Sequence, residues 1–165
     1  MKKEFKRELA IALACMLLML AALGQAARAE NATPYPGMVI TKTAHSYKDL
    51  VGRLDAAVTA NKMGLVSRAS ATVGAAKMLK KTIPGNMVIG VYRPDFAVRM
   101  LEASVAAGIE APLRFYITEN ADGTATLTYR KPSAVFGPYE VPALDEMAKE
   151  LDEIFAKIAA AATGV

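Results

Sequence analysis

Residues 113–130 read LRFYITENADGTATLTYR, and the alternation in this stretch decides the fold. Leu113 to Thr118 and Thr124 to Arg130 each switch between two chemistries residue by residue. That period of two marks a strand with one buried face. Asp122-Gly123 lies between them, a pair suited to the left-handed backbone of a tight hairpin turn. A hairpin is therefore predicted here, with Leu113, Phe115, Ile117, Ala125, Leu127 and Tyr129 turned to a core. The other parity set then points away: Arg114, Tyr116 and Thr118 from one strand, Thr124, Thr126, Thr128 and Arg130 from the other.

Upstream, the pattern alternates between periods of two and of 3.6. Val39 to Thr43 is β-branched and alternating, which predicts a strand. Ser46-Tyr47-Lys48-Asp49 then fits a capping box, and Tyr47, Leu50, Val51, Leu54, Ala57 and Val58 follow at helical spacing until Gly64. Leu65 to Ser70 reads as a short strand and Val73 to Lys81 as a short helix ended by Pro84-Gly85. Met87 to Tyr92 reads as a buried strand. Phe96, Met100, Leu101 and Val105 mark another helix, closed by Gly108. After the hairpin, Leu144, Met147, Ala148, Leu151, Ile154, Phe155 and Ile158 form one apolar stripe with charged residues mostly opposite, the pattern of a surface helix. The predicted order is β-α-β-α-β-α-β-β-α. A late hairpin argues against a purely parallel sheet, so the class is α+β.

The chain begins as an exported protein does. Lys2, Lys3, Lys6 and Arg7 precede an uncharged apolar run from Leu9 to Leu23, and Ala27-Arg28-Ala29 supplies a small-residue cleavage pattern before Glu30. That layout predicts a signal peptide over 1–29, with about 15 apolar residues against the ~20 of a permanent span. Residues 30–37, with two prolines and a glycine, read as a flexible lead-in, and 38–162 as a single domain. The expected location is the periplasm or the outside medium.

Cleavage would leave 136 residues, enough for one core. Cys15 would be lost with the leader, so no disulfide is available to the remainder. The formal charge of +4 falls to +1, with 15 basic against 14 acidic groups. On that balance no nucleic-acid partner is expected, and with the leader removed no membrane partner is expected either.

Catalytic chemistry is thinly represented. His45 is the single histidine of the sequence, so a transition-metal site is not expected and no cofactor is implied. Neither a nucleophile elbow nor a Gly-rich phosphate loop occurs. His45 precedes a helix cap, where an exposed turn residue is the ordinary outcome. It is also the sole candidate for proton transfer near neutral pH. Three arginines and a tyrosine gather on the predicted polar sheet face: Arg114, Tyr116 and Arg130, joined by Arg68 from the second strand. Such a face holds a small anion through guanidinium forks, meets a second copy of the chain, or is plain solvated surface. In the proline-rich segment 132–142, Phe136 and Tyr139 either cap a pocket or pin the loop to the core.

Several of these segments together resemble a known family. Gly108-Ile109-Glu110-Ala111-Pro112-Leu113-Arg114, the Asp122-Gly123 turn and Tyr129-Arg130-Lys131-Pro132 are similar to the domain of unknown function 302 family, DUF302. Ala44-His45-Ser46-Tyr47, Gly64 and Arg93-Pro94 fall in the family's order. The resemblance spans residues 38–158 and implies a TBP-like α+β domain, a curved antiparallel sheet backed by helices, with no established activity. One branch carries an Asp-His pair after an arginine of the second strand; here Ala69, Ser70 and Ala71 follow Arg68. Another has cysteines where Tyr92 and Leu113 stand. The expected function is a non-catalytic exported binding or interaction module, with a small anionic ligand or a homodimer as partner. The alternative is a small hydrolase or isomerase using His45 or an acidic side chain.

Overall fold

The computed structural model describes residues 36–165. The leader and most of the lead-in, on which the export expectation rests, lie outside the described residues.

Five strands and a set of helices follow the predicted order. Strand β1 (Met38–Ser46) leads into helix α1 (Tyr47–Ala60), and β2 (Gly64–Ala69) into α2 (Ala71–Gly74), which continues as a π turn over Ala75–Leu79. Strand β3 (Asn86–Tyr92) precedes α3 (Pro94–Ala103) and a 3-10 turn, Val105–Glu110. The hairpin is β4 (Leu113–Glu119) and β5 (Thr124–Arg130). A short α4 (Pro132–Phe136), a 3-10 turn (Gly137–Tyr139) and the long α5 (Pro142–Thr163) complete the domain. Pro94, Pro132 and Pro142 each sit in the first turn of a helix, where a missing N–H costs nothing.

The sheet is antiparallel throughout, in the order β1-β5-β4-β3-β2. At the hairpin, Gly123 takes φ +83°, and Asp122 Oδ1 accepts from Thr124 N at 3.0 Å and Thr124 Oγ1 at 2.6 Å. Those hydrogen bonds hold the Asp122 carboxyl below its usual range, through the Thr124 hydroxyl first and the Thr124 N–H second. The predicted cap is present at α1, where Ser46 Oγ accepts from Asp49 N at 3.2 Å.

The core lies between one sheet face and the helices. Ile89, Phe115, Ile117 and Leu127 from the sheet meet Leu50, Leu54 and Val58 of α1 and Leu144, Met147, Phe155 and Ile158 of α5, all almost fully buried. The segment read from sequence as a proline-rich loop, 132–142, is mostly helical. Ser133 N and Oγ donate to the Asp152 carboxylate at 2.9 and 2.6 Å, which ties α4 to α5.

Candidate functional site

The polar sheet face predicted from hairpin parity is present, with one member displaced. Arg114 and Tyr116 are exposed, while Phe115 and Ile117 between them are buried. Tyr116 pairs with Val88 on one side and Thr128 on the other. Arg114 pairs with Gly90 of β3. It forms no ion pair or hydrogen bond among the described residues. Thr118 Oγ1 points to the same face and is buried without a hydrogen-bond partner. Thr126 and Thr128 are buried, and Thr126 donates to Asn120 Oδ1 at 3.0 Å.

Arg130 has the predicted parity and sits at the end of this face. Its guanidinium turns to the chain just beyond β5 and donates to the Ala134 carbonyl at 3.1 Å.

Arg68 is the displaced member. Leu65 pairs with Val91, but Ser67 pairs with Gly90, so β2 carries one extra residue between them. Without that bulge the register would set Arg68 opposite Val88, on the polar face. With it, Arg68 sits opposite Ile89, a core residue, on the helix side. There its Nη2 reaches Asp55 Oδ1 of α1 at 2.6 Å. The expectation that Arg68 joins Arg114 and Arg130 is corrected on this ground.

Of the two readings of Phe136 and Tyr139, the cap is corrected and the pin is found. Phe136 is 2 % exposed and belongs to the core. The Tyr139 hydroxyl donates to Glu110 Oε1 at 3.2 Å, and burial, then that bond, raise its pKa. Both aromatics pin the segment rather than cover a pocket. Beside Phe136 lies an apolar cavity of about 30 Å³, lined also by Phe96, Met100, Leu113 and Met147. Ligand pockets run to roughly 300–1,000 Å³, and this is a much smaller apolar recess that reaches the surface at Tyr92 and Arg93.

His45 has a structural partner. Its Nε2 lies 3.2 Å from the Thr163 carbonyl oxygen, and because a carbonyl only accepts, that nitrogen carries the proton. Arg53 Nε donates to the Ala162 carbonyl at 2.6 Å and Nη2 to Ala161 at 3.3 Å. Together the two side chains satisfy carbonyls at the C-terminus of α5, which a helix leaves without intrahelical donors. No cluster of metal-ligating side chains occurs among the described residues.

At one end of the sheet Tyr47 packs over Gly85, whose missing Cβ leaves room for the ring; a Cβ there would lie 2.7 Å from it. Burial raises the Tyr47 hydroxyl pKa, and a hydrogen bond with Ser70 opposes the rise. Nearby, Gly85 N donates to Glu119 Oε2 at 2.6 Å. Nothing in the local sequence announces this cluster, since its members come from four separate segments.

The model of the family described as "Domain of unknown function DUF302" matches residues 39–162. A crystal structure of an uncharacterized conserved DUF302 protein from Bacillus stearothermophilus superposes with a TM-score of 0.69 at 18 % identity. The match covers 77 % of this chain and 99 % of that one. That relative's chain is thus almost nothing but this domain. No curated protein matches the sequence.

Proposed function

Since this chain belongs to the DUF302 family, whose description states no activity, we propose from its own residues that it is an exported interaction module working through the open face of its sheet. The observation that carries the reading is the pair Arg114 and Tyr116. Both are exposed on the face opposite the helices, and Arg114 has no acidic partner among the described residues. A guanidinium beside a phenol ring recognises a carboxylate or phosphate on the surface that meets it. The cavity beside Phe136 is lined by Val91, Leu113 and other side chains of the helix side, not by Arg114 or Tyr116. Two exposed side chains on an open sheet face suit a partner surface, such as a second copy, better than an enclosed small anion.

Export is part of the same proposal. It rests on the basic start, the apolar run from Leu9 to Leu23 and the Ala27-Arg28-Ala29 pattern. N-terminal sequencing of the exported protein should begin at Glu30. A catalytic role for His45 finds less support, because its imidazole is engaged by a helix-end carbonyl and no carboxylate among the described residues bonds to it. The binding face is tested by native mass spectrometry of the exported protein and of an Arg114→Ala, Tyr116→Ala double variant. The proposal expects added mass, from a bound anion or a second subunit, that the double variant loses. A bare monomer in both forms would refute it.

A further inference from the structure

The net charge of +1 conceals a strong segregation. Between Asp55 and Asp95 the chain carries six basic residues and no acidic one: Lys62, Arg68, Lys77, Lys80, Lys81 and Arg93. The two arginines pair with the aspartates that bound this stretch, Arg68 with Asp55 and Arg93 with Asp95. The lysines have no ion pair among the described residues.

Three of those lysines surround the most exposed apolar side chains of the same stretch. Met78 is 83 % exposed and Leu79 65 % exposed, at the end of the π turn. Lys77, Lys80 and Lys81 flank them, all exposed. Lys80 adopts φ +55°, which turns the chain back immediately after Leu79, and its Nζ donates to the Lys77 carbonyl at 3.2 Å.

The base of this projection is fixed. Ala71 N donates to Asn86 Oδ1 at 2.9 Å, Thr72 Oγ1 donates to the Pro84 carbonyl at 2.8 Å, and Asn86 Nδ2 donates to Thr72 Oγ1 at 3.0 Å. Methionine and leucine are thus held out in water by a braced turn with ammonium groups on either side.

We propose that residues 71–81 dock the domain reversibly on an anionic lipid surface, with Met78 and Leu79 entering the headgroup boundary and Lys77, Lys80 and Lys81 meeting the phosphates. Charge and size decide the occupant. A lasting protein interface buries about 800 Å² on each partner, far more than two side chains at a turn offer. A bilayer demands no matching shape, and shallow apolar insertion with surrounding lysines is the chemistry that binds its surface. The expectation of no membrane partner rested on removal of the leader, and the net charge of +1 hides this segment by averaging it against an acidic remainder.

The sequence has no tryptophan, so Met78→Trp gives a single fluorescent reporter. The test uses residues 30–165, the proposed exported form. On phosphatidylglycerol vesicles the reporter's emission should shift to the blue; on phosphatidylcholine vesicles or soluble polyglutamate it should not. By vesicle sedimentation without the reporter, Met78→Ser with Leu79→Ser, and separately Lys77→Gln with Lys80→Gln and Lys81→Gln, should each lower affinity for phosphatidylglycerol about tenfold or more. Folding of each variant is checked by an unchanged circular dichroism melt. No blue shift, an equal shift with polyglutamate, or unchanged affinity in either folded variant overturns the proposal. Arg114→Ala with Tyr116→Ala should leave vesicle binding intact, so this inference and the open-face reading fail separately.

Discussion

The rings of Phe115 in β4 and Phe155 in α5 stack with centroids 4.6 Å apart and planes 15° from parallel. Tyr129 closes on both, at 5.3 Å from Phe115 and 5.7 Å from Phe155. This triad joins the hairpin to the last helix, and Phe115 and Phe155 are fully buried. Phe155→Ala should therefore cost about 3–5 kcal/mol, for lost transfer energy and the cavity left behind. Urea unfolding monitored by circular dichroism checks this. A loss below about 0.5 kcal/mol, the scale of surface changes, would mean that α5 is peripheral.

Helix α5 also depends on side chains 108 to 118 positions away in sequence, through Arg53 and His45 at its final carbonyls. Arg53→Ala should destabilise the domain by about 0.5–2 kcal/mol, as loss of a charged donor at a helix C-terminus does. Hydrogen exchange should locate the loss, with faster exchange at the amides of the last turn of α5 and unchanged exchange in β4.

Gly90 tells how closely the open face is packed against β2 and the chain before β4. A Cβ at this position would collide with Ser67 Oγ and lie 2.9 Å from Pro112 Cγ. Gly90→Val is expected to cost about 1–3 kcal/mol by overpacking. Ser67→Gly in the same chain should recover part of that cost, which a double-mutant cycle of thermal melts reads directly.

Acid should weaken the tie between α3 and α5. Arg99 grips Glu150 through two hydrogen bonds, of 2.8 and 2.6 Å, and those bonds first, with the guanidinium charge behind them, hold the Glu150 carboxyl below its ordinary range. Arg93 does the same to Asp95, again chiefly by hydrogen bonding. A carboxyl depressed by folding contributes stability above its unfolded pKa and loses it as the pH falls through the folded one. Wild type and Glu150→Gln should therefore differ slightly at neutral pH and converge below the usual carboxylate range. Both groups are exposed, so the difference should shrink further in high salt. A gap that widens on acidification would contradict the assignment.

How far the sequence could be read depended on whether a signal was local. Alternation in 113–130 was enough to predict the hairpin and the opposite facings of Phe115 and Tyr116, because parity in an unbroken strand leaves no other choice. Parity failed at Arg68 for the reason it worked at Tyr116. A single inserted residue between Leu65 and Ser67 reverses the facing of all that follows, and neither side chain announces a bulge. Segment 132–142 read as a loop from its prolines, yet Pro132 and Pro142 occupy first-turn positions that helices accept. Asp152 read as one more charge on a solvated helix, whereas it accepts two bonds from Ser133. The partner of His45 was beyond any local pattern, since Thr163 lies 118 positions away.

The most direct test of the open-face proposal uses a photo-crosslinking amino acid at position 116 in cells that export the protein. Tyr116 is on the face without helices, and Glu153 is an exposed residue of α5 in the helix layer. The account predicts a discrete crosslinked species from position 116, absent when Arg114→Ala is added, and none of that mass from position 153. Crosslinking from 153 but not from 116, or equal smears from both, would contradict it.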